Sequence, residues 1–305
     1  MFLISGFRLV TGKDDESYIK LFKLLQSGEL QILETVQEPI FSFITKIIGL
    51  FFNEDFFFLF FSFISIYLLY KVCIKYTGYT IIPIIIYFSH KFIHNDLNQI
   101  RQGIISLAFL LIIDSKKISF KKIILSTGIH TSSLLFIPVS YFKQQNFTNS
   151  KTYIFFILIS FIFSFYITSS LFLSLFENSI YISYLIDSRY NQSINLLANP
   201  NFYKTTILVA LILYNFKKYT LEINKFSTLF NVYFIGYILF IIFRNISILS
   251  GRISSIFFVS EPFIIYLMYM NINKKYKPFS LFFIILVTIF QLYYNLFLTN
   301  NKPFI

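Results

Sequence analysis

Apolar residues in this chain come in long unbroken runs, not in the period-2 alternation of half-buried strands. The runs are about 17–25 residues long, enough to cross a bilayer with some tilt. Short loops carrying lysine, asparagine or proline separate them. They predict helices at approximately 56–74, 79–95, 97–113, 123–142, 152–176, 204–216, 227–243, 253–270 and 279–298, the 204–216 run being short and extensible back towards Asn199. The predicted fold is all-α, a polytopic transmembrane helical bundle of about 8–10 spans. It forms a single integral membrane domain over residues 1–305, with no repeat, linker or second domain in the pattern.

Composition agrees with that pattern. Hydrophobic residues make up 56% of the chain and charged residues 13%, with a mean hydropathy of +0.69. A soluble domain carries about 25% charged residues, so much of this surface must face lipid. The 43 Phe and 22 Tyr stand beside abundant Ile, Lys and Asn and no Trp. The bias of an A/T-rich gene explains that set more simply than a sugar-stacking surface does. Tyrosine is then left to fill the interfacial belt.

Charge adds a direction. With 26 Lys and Arg against 14 Asp and Glu the net charge is +12, but the cations sit in short loops between apolar runs. This is the positive-inside pattern of a membrane protein, so nucleic acid is not an expected partner. The loop 114–122 carries Lys116, Lys117, Lys121 and Lys122 and is the strongest cytoplasmic marker; Lys217, Lys218 and Lys225 mark a second loop, and Lys274, Lys275 and Lys277 a third. Residues 12–55 are the opposite, holding eight of the fourteen acids against four lysines. That segment is expected on the extracytoplasmic side, with 39–52 (PIFSFITKIIGLFF) too short to span and suited to an interfacial or re-entrant helix. Counting back from the last spans also places the loop 177–203 outside. Counting forward from the lysine loop disagrees unless 123–142 is broken, at Gly128 or Pro138, or one span is miscounted; the pattern leaves both open. Met1–Phe7 covers only part of a span, which reads as a truncated first helix. The single cysteine, Cys73, precludes an internal disulfide.

Ionisable groups at membrane depth are costly and are functional candidates for that reason. Arg101, in NDLNQIRQGIISLAF, is either a snorkelling interfacial arginine or a guanidinium fork turned to a phosphate. His130, in STGIHTSSLLF, is either a structural histidine or a general base. Arg252, with Glu261 and Pro262 further along, is a topology anchor or a second cation. His90 and His94, four apart, could share a helix face, but a metal site needs a third ligand and only Asp96 is near. No metal site and no cofactor is expected. There is no Walker loop, GxGxxG, GxSxG or cysteine cluster.

Several of these residues fall into one order. FRLVTGKDDESYIKLF reads R-x3-G-x-D-x3-Y through Arg8, Gly12, Asp14 and Tyr18. Glu38 follows in QEPIFSFITKIIG, then NQIRQGIISLAF around Arg101, a lysine loop, STGIHTSSLLFIPVSYF around His130, and GRISSIFFVSEPFI around Arg252. The series resembles the EpsG-like family of Wzy-type polysaccharide polymerases over almost the whole chain, with Ile105 and Ser126 standing where that family usually has alanine. The resemblance implies a metal-independent glycosyltransferase in the cytoplasmic (inner) membrane. It would move a growing glycan from one undecaprenyl diphosphate to the next lipid-linked repeat unit of an O-antigen, capsule or exopolysaccharide, at the outer face. It further implies Arg101 and Arg252 as cations for the diphosphate and His130 as base, with Asp14 or Glu38 as the carboxylate alternative. Arg8, Glu38, Asp187 and Arg189 would bind substrate, membrane lipids would surround the chain, and a chain-length regulator protein is a candidate partner. The rival readings are a lipid-linked oligosaccharide flippase or transporter, an O-antigen ligase, and a membrane acyltransferase.

Overall fold

The computed structural model describes residues 1–9, 12, 14–29, 38–78, 81–113, 120–142, 149–168, 193–221, 223 and 225–298. All regular structure among them is helical. In chain order the helices are α1 (Phe2–Gly6), α2 (Asp15–Ser27), α3 (Pro39–Phe51), α4 (Glu54–Thr77), α5 (Ile81–Tyr87), α6 (Ile100–Ile113), α7 (Phe120–Thr127) and α8 (Phe136–Phe142). They continue with α9 (Ser150–Tyr166), α10 (Pro200–Tyr214), α11 (Phe226–Ile242), α12 (Ser247–Phe258), α13 (Glu261–Met270) and α14 (Lys277–Tyr293). A π-helix, Phe88–Asn98, continues α5, and a 3₁₀ turn, Thr131–Leu135, precedes α8.

Two helical runs, Glu54–Thr77 and Lys274–Phe297, are long and apolar enough to cross a membrane, and the consecutive α12 and α13 make a third if they form one span. Several other apolar helices are shorter, α6 and α9 among them. The all-helical membrane class expected from the sequence is what forms, but several runs, 79–95, 123–142 and 253–270 among them, are not continuous α-helices. The reasons are local. The run 79–95 passes from α-helix into π-helix, and the run 123–142 is interrupted at Gly128–His130, where His130 is extended at φ −158° and ψ 129°. The break at Gly128 is therefore real. Pro138 breaks nothing, because it lies in the first turn of α8, where an N–H has no intrahelical partner to lose.

The chain separates into two compact units, Met1–Ser140 with Glu261–Ile305, and Tyr141–Ser260. In the first, α4 is the organising helix. Asn53 caps it by accepting from the Phe56 N–H, Glu54 and Asp55 sit in its first turn, and Gly78 ends it in the left-handed region at φ 64°. These features complement the helix dipole and satisfy the terminal N–H groups. Near its end Lys75 and Tyr76 donate to the carbonyls of Leu110 and Leu111, groups that the last turn of α6 cannot satisfy itself. An aromatic core of Tyr18, Phe22, Phe41, Phe57, Phe58 and Phe61, closed by Ile100 and Ile104, binds α2, α3, α4 and α6 together.

The second unit centres on the α11–α12 hairpin. Gly236 allows the close approach, since a Cβ there would lie 2.9 Å from the Phe257 Cβ. Ser250 Oγ donates to the Phe240 carbonyl at 2.9 Å. On another side of α11, Tyr153 of α9 donates to Asn231 Oδ1 at 2.6 Å and packs its ring on Phe230 and Phe234. Asn245 ends α9 by donating to the carbonyls of Ser164 and Ile167.

Candidate functional site

The break in the 123–142 run builds a site. Because Gly128 leaves the helix, its carbonyl is available to accept from the N–H groups of Ile40 and Phe41 at 2.8 and 3.0 Å. These are orphan donors at the start of α3, whose first residue is Pro39. The glycine is required sterically as well: a Cβ on Gly128 would fall 2.6 Å from the Ile40 side chain. This junction sets Glu38, just before α3, beside His130, just after the break.

Glu38 is the hub. One carboxylate oxygen, Oε1, meets His130 Nδ1, and the other, Oε2, accepts from Arg101 Nη1 at the start of α6. The Arg101 guanidinium lies 5.2 Å from the Tyr18 ring and 5.1 Å from the Phe41 ring, so aromatic faces hold its plane. The side chains remain accessible, at 30% for Arg101, 23% for His130 and 10% for Glu38. A carboxylate only accepts hydrogen bonds, so with Glu38 ionised the imidazole proton is on Nδ1 and the basic lone pair is on Nε2.

Arg101 and the residues just after His130 also carry buried donors. Arg101 Nε, Ser132 Oγ and Ser133 Oγ are buried with no hydrogen-bond partner among the described residues. Buried polar atoms are rarely left so, and these three, one on Arg101 and two on residues that follow His130 in sequence, fit a site that binds polar substrate groups. The two serines were present in the HTSSL motif but drew no assignment, because a serine pair in an apolar helix carries no signal until the helix is known to break.

Arg8 and Asp14 lie in a second cluster of the same unit. Arg8 adopts φ 48°, in the left-handed region, and its guanidinium stacks 4.1 Å from the Phe58 ring. It donates to the Leu97 carbonyl at 3.1 Å and pairs with Asp15 Oδ1 at 3.2 Å. Asp15 in turn accepts from the Gly12 N–H at 2.7 Å. Burial pushes the Asp15 carboxyl up and the Arg8 guanidinium down from their ordinary values, while their mutual attraction opposes both shifts. Gly12 packs so closely that a Cβ would lie 2.0 Å from the Leu97 carbonyl oxygen. Asp14 is the N-cap residue of α2. The motif R-x3-G-x-D-x3-Y thus ties the N-terminal segment to the backbone just before Arg101, with Tyr18 reaching the guanidinium itself.

The other site candidates fall elsewhere. Arg252 lies on α12 in the second unit. Asp187, Arg189 and most of the loop 177–203 lie outside the described residues. His90 does not join a metal cluster: its Nδ1 meets Glu261 Oε1 at 3.0 Å, and Lys91 Nζ meets Glu261 Oε2 at 3.2 Å. Asp96 is held by Ser65 and by Tyr87, the latter at 2.9 Å. No group of three or more His, Cys, Asp or Glu with metal-binding placement occurs among the described residues.

Comparison with known proteins agrees with the family resemblance. The chain is 25% identical to the amylovoran biosynthesis protein AmsC of Erwinia amylovora, over 99% of this chain and 86% of that protein. No solved structure matches it. The family model described as the EpsG family matches residues 1–305, and the chain belongs to that family.

Proposed function

We propose that this protein is a polymerase of lipid-diphosphate-linked oligosaccharide repeat units in the synthesis of a surface polysaccharide. The observation that carries the reading is the Glu38 carboxylate joining His130 to Arg101. Support comes from the EpsG family match and from a relative named for the biosynthesis of amylovoran. In this reading the protein lies in the cytoplasmic membrane with the site on its outer face, and the substrate is carried by undecaprenyl diphosphate.

The chemistry follows from the charges. The acceptor is a sugar hydroxyl at the non-reducing end of an incoming unit, and its proton passes to His130 Nε2 as its oxygen attacks the anomeric carbon of the growing chain. The bond from that carbon to the diphosphate oxygen breaks, and the lipid diphosphate leaves with the electron pair. Glu38 fixes the tautomer and orientation of the ring and stabilises the imidazolium that forms. Arg101, with Nη1 on Glu38, turns its remaining donors to the charge developing on the leaving group. Ser132 and Ser133 supply hydroxyls for the glycan or the diphosphate. Arg252, Arg8, Asp187 and Arg189 enter as substrate contacts on the family resemblance alone, and a chain-length regulator as a partner on the same ground.

Deletion of the gene tests this directly. Electrophoresis of the surface glycan should show the ladder collapsed to a single repeat unit. Loss of attached units altogether would instead indicate a ligase. Accumulation of repeat units on the inner leaflet would indicate a flippase, and an intact ladder with altered acylation an acyltransferase.

A further inference from the structure

The second unit carries a groove of about 560 Å³ between α9, α10 and α11, lined chiefly by Ile154, Ile157, Phe161, Phe202, Val209 and Leu213. We infer that this groove holds one chain of an anionic phospholipid whose headgroup rests on Lys151, Lys217 and Lys218. This inference does not depend on the proposed enzymatic activity.

Length is the first argument. The lining of α9 runs from Ser150 to Phe161 and that of α10 from Phe202 to Tyr214. At 1.5 Å per residue these stretches are about 16–18 Å long. The hydrocarbon of one leaflet is about 15 Å, half of a core of about 30 Å. The groove therefore matches one leaflet and not a whole bilayer. At its far end the Phe161 and Phe202 rings meet edge to face, with centroids 6.5 Å apart, where a chain reaching the bilayer centre would stop.

Polarity is the second. Between its ends the walls are apolar except for the hydroxyls of Thr206 and Tyr237, which bond each other at 2.9 Å; the other two hydroxyls of the lining, Ser150 and Tyr214, are at the near end beside the lysines. All the charge is outside the lining. Lys151 follows Ser150 at the near end of α9, and Lys217 and Lys218 follow Tyr214 at the near end of α10. All three lysines are exposed, as is Tyr214 at 87%, a position typical of the interfacial aromatic belt. Neither α9 nor α10 carries an acid. Lys204 is the remaining cation of α10 and lies towards the opposite end, near Phe202. An apolar slot one leaflet deep with lysines clustered at its mouth is complementary to a lipid with a negative headgroup.

Native mass spectrometry of the purified full-length protein, titrated with phosphatidylglycerol, phosphatidylcholine or polyprenyl phosphate, tests the assignment. Phosphatidylglycerol should be retained over phosphatidylcholine by about fivefold for each lysine engaged. The triple variant K151Q/K217Q/K218Q should bring that preference close to unity while the chain still binds. Ala210 is an exposed residue of the lining, and Ala210→Phe, which fills the slot, should reduce retention of both phospholipids. Equal retention of the two by the wild-type protein would overturn the assignment. So would a preference unchanged in the lysine variant, or displacement of phosphatidylglycerol by equimolar polyprenyl phosphate.

Discussion

Glu38 and Glu261 have the same set of partners. Each carboxylate places one oxygen on a histidine Nδ1 and the other on a cation, His130 with Arg101 in one case and His90 with Lys91 in the other. Their surroundings differ completely. Side-chain exposure at Glu261, His90 and Lys91 is 1%, 1% and 8%, against 10%, 23% and 30% at Glu38, His130 and Arg101. The closed trio is buried and fastens the π-helix to the start of α13. The open trio lies at a helix break, and the Ser132 and Ser133 hydroxyls that follow it in sequence are buried with no hydrogen-bond partner among the described residues. The same chemistry thus serves architecture where it is sealed and, in the proposed function, reaction where it is reachable.

The comparison can be broken most decisively at the open end. His130→Ala removes the proposed base and should lower repeat-unit transfer by about 10²–10⁴-fold. The membrane level and melting temperature should stay near wild type, as chain-growth assays beside thermal unfolding in detergent can show. At the closed end the opposite split is expected. Glu261→Ala leaves a lysine buried without its counter-charge and should cost about 3–5 kcal/mol of stability, read as a lower unfolding temperature and reduced membrane abundance. Activity per folded molecule should be retained there.

Two smaller changes sharpen the picture. Arg101→Lys keeps the charge but loses the fork that reaches Glu38 and phosphate together. A loss of one hydrogen bond to a charged group, about 1.5 kcal/mol, corresponds to about tenfold in transfer rate. Gly12→Ala forces a methyl against the Leu97 carbonyl and should cost about 1–3 kcal/mol of stability as overpacking. Because that backbone leads directly into Arg101, the variant should also slow chain growth, though less than Arg101→Lys does.

Much of the candidate site was legible in the sequence as separate pieces. Arg101 and His130 stood out because charge inside apolar runs is expensive, and Glu38 because its motif has a place in the family order. Their meeting was not legible. Glu38 is 63 residues from Arg101 and 92 from His130, and what joins them is a backbone event, the exit of Gly128 from its helix to receive two N–H groups of α3. Hydropathy could say that 123–142 fitted badly, but a break and a miscounted span leave the same trace in a hydrophobic pattern. His90 shows the converse. Spacing put it on a possible common face with His94, with no third metal ligand, and the structure gives it Glu261, 171 residues away. A π-helix lies under that pair, and no residue pattern announced it. The runs 79–95, 123–142 and 253–270 read as continuous for the same reason, since an apolar pattern carries on across a π-segment or a break of two or three residues.

The most direct test compares two conservative changes of the two glutamates. In the deletion strain, Glu38→Gln and Glu261→Gln would be supplied at matched membrane levels and the surface glycan separated by length. Glu38→Gln should give a single-repeat product and Glu261→Gln a full ladder. A full ladder from Glu38→Gln would contradict this, because the carboxylate at the centre of the proposed site would then be dispensable.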